Sequence, residues 1–222
     1  MCLIALAHNA SPARPLVIAA NRDEFYARPT RPAHRWEEDP RIRGGRDLRA
    51  GGSWLAVRDD GRFAAITNVR GARAEGGPSR GALVANFVRG DDDPLDYARS
   101  IRGDDYAGFH LIVGVAGGTI AHVSNEGAPP SLIEPGIFAV SNGRPGDDWP
   151  KVRLARQAML DALASDDVEA ALFAFLTTRR GGPVEEEVFV VSPEYGTRSS
   201  TVIVVDAAGR VTLSERLTAG RD

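Results

Sequence analysis

Met1-Cys2-Leu3-Ile4-Ala5-Leu6-Ala7 and Leu16-Val17-Ile18-Ala19-Ala20-Asn21-Arg22-Asp23-Glu24 open the chain. Both are apolar runs of strand length. Between them lies His8-Asn9-Ala10-Ser11-Pro12-Ala13-Arg14-Pro15, which is rich in turn formers. If the two runs pair as a hairpin, the chain start comes to lie beside the polar tetrad of residues 21–24. A thiol, a free amine, a carboxylate, an amide and a guanidinium then converge. Cys2 is the single cysteine. By position alone it also fits a small buried hydrophobe in an edge strand. The tetrad equally fits a strand-end turn carrying a solvated ion pair.

Outward from this hairpin, the prolines and arginines of residues 25–32 read as a surface loop. Gly44-Gly45-Arg46-Asp47 and Gly51-Gly52 flank a turn. Residues 53–58 and 63–69 form a hairpin across Asp59-Asp60-Gly61-Arg62, and residues 71–78 form a charged loop of small residues. Ser79 is placed to cap a helix over 80–88 that stops at Gly90, and a second helix runs over 94–101 behind a proline. A hairpin follows over 110–116 and 119–123, then a strand over 137–140 ending in Ser141-Asn142-Gly143. Helical spacing recurs over 151–163 and 167–177. A strand over 188–191 and a hairpin of 197–205 with 210–217 complete the chain. Strands at both ends around two helical blocks imply a layered α+β domain spanning residues 1–222.

The 222 residues carry 27 Lys and Arg against 30 Asp and Glu, a net charge of −3 with no basic stripe, which argues against nucleic-acid binding. The four histidines have no metal-ligand spacing, and no cofactor motif is present. No run reaches the roughly 20 apolar residues of a membrane span, so a cytoplasmic protein is expected. The wealth of alanine, arginine and glycine is bacterial in character. Trp36, Trp54 and Trp149 read as packing anchors, and the histidines as structural.

Met1-Cys2-Leu3-Ile4, the Asn21-Arg22-Asp23-Glu24 tetrad, Gly51-Gly52-Ser53-Trp54-Leu55, Thr67-Asn68-Val69-Arg70, Ser141-Asn142-Gly143 and residues 195–201 together resemble the NRDE family. Its eukaryotic members are called transport and Golgi organisation protein 2. That family is similar in turn to the N-terminal nucleophile hydrolases of the penicillin V acylase, bile salt hydrolase and isopenicillin N acyltransferase branch. The resemblance implies a four-layer αββα sandwich with two mainly antiparallel sheets. It also implies Cys2 as nucleophile, Asn21 and Asp23 as the Asn-x-Asp motif, Asn142 in an oxyanion hole and Asn68 as a second site amide. Two departures stand out: Ala20 replaces the arginine that usually precedes the motif, and only Arg198 offers itself as the late arginine of that branch.

In such a site, removal of Met1 would free an α-amine with a pKa of about 7.7–8 to take the thiol proton. Asp23 would hold the ammonium, while Arg22 or Arg198 would hold thiolate or substrate carboxylate. Arg70 and Arg73, in a loop after a strand end, read first as a solvated surface and second as a clamp for an anionic ligand. The activity expected is that of a thiol amidohydrolase or acyltransferase acting on a small amide or thioester. The alternative is a binding or trafficking protein for haem or acyl-lipid on the same scaffold. The chain offers no Cys-Pro dipeptide and no paired histidines for a haem-like ligand.

Overall fold

The computed structural model describes residues 2–70, 77–127, 129–183 and 185–218. Met1, Arg73 and most of the expected 71–78 loop lie outside the described residues. The first two runs pair as expected: β1 (Leu3–Ser11) and β2 (Arg14–Phe25) are antiparallel, with Leu3 opposite Asn21 and Ala7 opposite Val17. A further ten strands follow among the described residues: β3 (Thr30–Arg35), β4 (Ile42–Asp47), β5 (Leu55–Arg58), β6 (Arg62–Asn68), β7 (Phe109–Val115), β8 (Ile120–Ser124), β9 (Ser131–Leu132), β10 (Gly136–Val140), β11 (Tyr195–Val205) and β12 (Val211–Leu217). The helices are α1 (Arg80–Arg89), α2 (Pro94–Ser100), α3 (Pro150–Leu163) and α4 (Val168–Leu176).

The strands form two sheets, in the orders β10-β1-β2-β11-β12 and β3-β4-β5-β6-β7-β8-β9, and every pairing between them is antiparallel. The two-residue period of a strand sorts side chains into layers. On β1, Leu3, Ala5 and Ala7 pack with Val152, Met159, Leu172 and Phe173 of α3 and α4, whereas Ile4 and Leu6 face the other sheet. On β6, Phe63 and Ala65 meet Ile4, Leu6 and Ile18 between the sheets, while Ala64 and Ile66 pack on Leu83, Val84 and Phe87 of α1. Each sheet thus buries one face on its partner and the other on a helix pair. The result is the four-layer αββα sandwich.

Local chemistry sets the helix ends. The Asp93 carboxylate accepts from the N–H groups of Leu95 and Asp96 to cap α2, with Pro94 in its first turn. Asp167 caps α4 through the N–H of Ala170 at 2.9 Å. Ser79 takes the cap position of α1, yet its hydroxyl makes no capping bond.

Two expectations are corrected. Much of residues 25–32 is not loop, because β2 runs on to Phe25 and β3 begins at Thr30, carrying Pro32 on an edge strand where a missing N–H is tolerated. Gly44 and Gly45 lie in β4, ahead of the turn at residues 48–50 that they were expected to flank. A Cβ at Gly44 would meet the Leu55 carbonyl at 2.6 Å, and one at Gly45 would meet the Trp54 ring at 2.1 Å. Residues 188–191 make only a bridge between Val191 and Gly196, since Val190 turns its N–H to the Thr197 hydroxyl.

Candidate active site

Cys2 stands immediately before β1, which is flanked by β10 and β2 and so is not an edge strand. The register that sets Leu3 opposite Asn21 carries Cys2 to the end of β2, where its thiol faces the Asp23 carbonyl oxygen at 3.9 Å. The thiol opens on a cleft of about 570 Å³ that Arg22, Asp23, Trp54, Asn68 and Arg80 also line. Ser141 ties down the other side of Cys2 by donating to its carbonyl oxygen at 2.7 Å.

Alternation along β2 gives the tetrad opposite destinations. By the two-residue period Asn21 and Asp23 share the face of β2 that carries Val17 and Ala19 onto the helices, and Arg22 takes the other; Arg22 and Asp23 both line the cleft. The Asn21 amide donates to the carbonyls of Leu176 and Val188, each at 2.8 Å, and accepts from the Ser200 hydroxyl at 2.6 Å. It binds the end of α4 to the sheet and does not line the cleft. Asp23 is buried, with one carboxylate oxygen accepting from Thr197 Oγ1 at 2.6 Å. Burial pushes its carboxyl above the ordinary range, against the pull of the Thr197 hydroxyl and the Lys151 charge.

Arg22 is buried under the Trp54 ring, its guanidinium carbon 4.2 Å from the ring centroid. It donates to Thr30 Oγ1 at 3.2 Å and lies 3.8 Å from Glu24 and 3.7 Å from Asp47. Arg28 closes this network with a 2.6 Å bond to Asp47. Burial alone would raise the Asp47 carboxyl, but the Arg28 bond and the N–H groups of Ala50 and Arg49 outweigh it and hold it below its usual value. The network therefore pairs two cations with two anions. Arg80 stands apart from it: its Nη1 donates to the Gly108 carbonyl at 2.8 Å, and no carboxylate among the described residues comes within 4 Å of it. Burial lowers its pKa, and the nearby Cys2 sulfur opposes that shift.

The remaining expected site residues fall in four places. Asn68 lines the cleft. Asn142 sits behind it, its amide donating to Thr67 Oγ1 and to the Asn68 carbonyl, both at 2.7 Å. Arg70 is exposed, pairs with Glu185 at 2.9 Å and lies off the cleft lining. Arg198 occupies a bulge where β11 shifts register between Thr197 and Ser199. It turns into a smaller hollow of about 80 Å³ that shares Arg22 and Trp54 with the main cleft.

Arg80 and Lys151 escaped the reading of the sequence. Each is a cation in the first turn of a helix, α1 and α3, where the helix dipole disfavours positive charge. That mismatch was the available signal. Among the described residues, no group of three His, Cys, Asp or Glu side chains is placed to hold a metal, and no helix is long and apolar enough to cross a membrane.

The αββα sandwich, with a thiol lining a cleft beside its first strand, has the N-terminal nucleophile hydrolase fold. Solved structures agree. The Caenorhabditis elegans N-acylethanolamine-hydrolyzing acid amidase ortholog matches 98% of this chain and 100% of its own at a TM-score of 0.56 and 13% identity. A variant of the conjugated bile acid hydrolase from Clostridium perfringens matches 100% and 97% at a TM-score of 0.54 and 9% identity. The chain itself belongs to the Transport and Golgi organisation 2 family, whose model matches residues 1–219. The Bos taurus transport and Golgi organization protein 2 homolog is 34% identical, over 100% of this chain and 95% of that protein.

Proposed function

We propose that the protein is an N-terminal cysteine hydrolase that cleaves a small amide or thioester. The observation that carries this reading is the Cys2 thiol, placed on the wall of a 570 Å³ cleft between Arg22 and Arg80 with Asp23 behind it. Structural neighbours described as an acid amidase and a bile acid hydrolase support it.

Removal of Met1 makes the Cys2 nitrogen a free amine. In its neutral form that amine takes the thiol proton, and the sulfur attacks the substrate carbonyl carbon. The carbonyl π electrons move onto oxygen, giving a tetrahedral oxyanion. Asn68, which lines the cleft, is the side-chain amide best placed to donate to it, with Asn142 holding the Asn68 backbone from behind. Collapse expels the leaving amine or thiol, which carries away the proton held on the α-ammonium, and leaves a thioester on Cys2. Water, deprotonated by the same amine, attacks the thioester to release the carboxylic acid and restore the thiol. Asp23 keeps the ammonium near the sulfur during both half-reactions.

The test is intact mass combined with labelling. Protein purified from cells should lack Met1, take up one equivalent of iodoacetamide on Cys2, and hydrolyse members of a fluorogenic acyl-amide panel. Cys2→Ala should abolish turnover, and Asn68→Ala should lower kcat by roughly 100-fold or more. Retention of Met1, or turnover that survives Cys2→Ala, would exclude the mechanism.

One observation favours a non-catalytic binding reading. Both amide hydrogens of Asn142 are already engaged within the protein, which weakens the expected oxyanion hole. A haem titration separates the two readings. A Soret shift lost in Cys2→Ala, in protein that hydrolyses nothing on the panel, would favour ligand carriage.

A further inference from the structure

Charge is distributed unevenly around the cleft that holds the Cys2 thiol. Arg22 and Arg28 stand 2.6 to 3.8 Å from Glu24 and Asp47, so these two cations and two anions compensate one another. Arg80 lines the same cleft, and no carboxylate among the described residues comes within 4 Å of its guanidinium. Hydrogen bonds fix where that guanidinium is held. The Gly108 carbonyl oxygen accepts from Arg80 Nη1 at 2.8 Å and from the Val69 N–H at 2.9 Å, which pins Arg80 where the chain leaves β6. Asn68, one residue back, lends its carbonyl to Asn142, and the neighbouring Ser141 donates to the Cys2 carbonyl. A continuous line of contacts thus runs from Cys2 through residues 141–142 and 68–69 to Arg80. Only one guanidinium N–H group of Arg80 is engaged among the described residues, and the rest of its planar fork remains for a ligand.

We propose that Arg80 is the anion subsite of this cleft and takes a carboxylate carried by the amide or thioester whose carbonyl meets Cys2. This rests on the reading of Cys2 as the nucleophile. The charge of Arg22, the cation first expected to hold such a group, is taken up by Glu24 and Asp47, and Arg198 turns into the smaller hollow. One uncompensated guanidinium matches a single negative charge, and its fork matches the two oxygens of a carboxylate. A phosphate dianion needs a second cation, and the others on the cleft are already paired. Burial is the largest influence on Arg80 and pulls its pKa down, so a bound carboxylate restores what desolvation takes from the charge. Ile66, Val69, Pro78 and Ala107 line the same cleft and offer apolar surface to the carbon chain that joins the carboxylate to the scissile carbonyl.

The experiment compares the rates at which full-length protein is alkylated on Cys2 by N-iodoacetylglycine, which carries a carboxylate, and by its neutral counterpart N-iodoacetylglycinamide. Each ratio of rates is divided by that of N-acetylcysteinamide, a free thiol with no arginine beside it. Wild type should favour the carboxylate reagent by about fivefold on this scale, and Arg80→Gln should show no preference. Glutamine keeps an N–H for the Gly108 carbonyl, and melting confirms that the variant is folded. A wild-type ratio equal to that of the free thiol overturns the proposal, as does a preference that survives in Arg80→Gln. Should the variant fail to fold, the Arg80 Nε–H resonance of the wild-type protein decides. Titration with N-acetylglycine should shift it and N-acetylglycinamide should not; an equal response to both, or to neither, overturns the proposal. Alkylation requires no turnover, so a preference lost in Arg80→Gln upholds the subsite even in a protein that hydrolyses nothing, while the hydrolase reading falls. Turnover of acyl amides with no preference for the carboxylate reagent does the reverse.

Discussion

Asn21 and Asp23 lie two residues apart on one face of β2, yet their surroundings assign them different work. Asn21 has its two N–H groups and its carbonyl engaged with Leu176, Val188 and Ser200, all buried. Its amide satisfies a carbonyl in the last turn of α4, a group that a helix cannot pair internally. Replacement by alanine strands two carbonyls and a hydroxyl, each losing a partner at about 1–3 kcal/mol when buried. We expect Asn21→Ala to destabilise the protein by about 3 kcal/mol, read as a lowered midpoint in urea with an unchanged slope. Asp23 accepts from Thr197 and its carbonyl oxygen faces the Cys2 thiol, so its substitution should show first in the reactivity of Cys2.

Between elements, the clearest polar join is a pair of histidines on adjacent strands, His110 of β7 and His122 of β8. Their rings stack with centroids 5.2 Å apart, and His122 also meets Phe138 of β10 at 5.3 Å, across the gap between the sheets. If His110 Nε2–H donates to the Gly143 carbonyl at 2.8 Å, its Nδ1 must accept from His122 Nε2–H at 3.1 Å. Both rings are neutral in that arrangement. Burial, reinforced by His110, lowers the His122 pKa from 6.5 to about 4. The unfolded chain therefore takes up a proton before the folded one does. The stability that follows is complete above about pH 6.5 and is lost as pH falls towards 4. Between pH 7 and pH 5 the loss from this residue should be about 2 kcal/mol. Urea unfolding at the two pH values measures it, and His122→Phe should flatten the difference; an equal difference in the variant would remove the histidine from the account.

At the scale of the whole molecule, the layers were legible where apolar residues alternate. Leu3, Ala5 and Ala7 against Ile4 and Leu6 specify two buried faces, and the motifs around Cys2, residues 21–24 and Asn68 marked the cleft. What escaped lacked a local pattern. In β4, Ile42 is followed by Arg43, Gly44, Gly45 and Arg46, and the glycines are there because Leu55 and the Trp54 ring press against the backbone. No periodicity could report that contact. Asn142 was expected in the site, but its amide turns inward to Thr67 and Asn68, a choice made by partners 74 and 75 residues away in the chain. The fold joins the first residues, the end of β2 and the loop after β10 around one sulfur, and the central claim is that this sulfur is a nucleophile. Its most direct measurement is intact mass after brief reaction with an activated acyl amide and quenching in acid, with peptide mapping of the product. The account predicts a chain without Met1 carrying one acyl group on Cys2, absent in Cys2→Ala; a chain that turns the substrate over with no acyl group on Cys2, or that keeps Met1 while doing so, would contradict it.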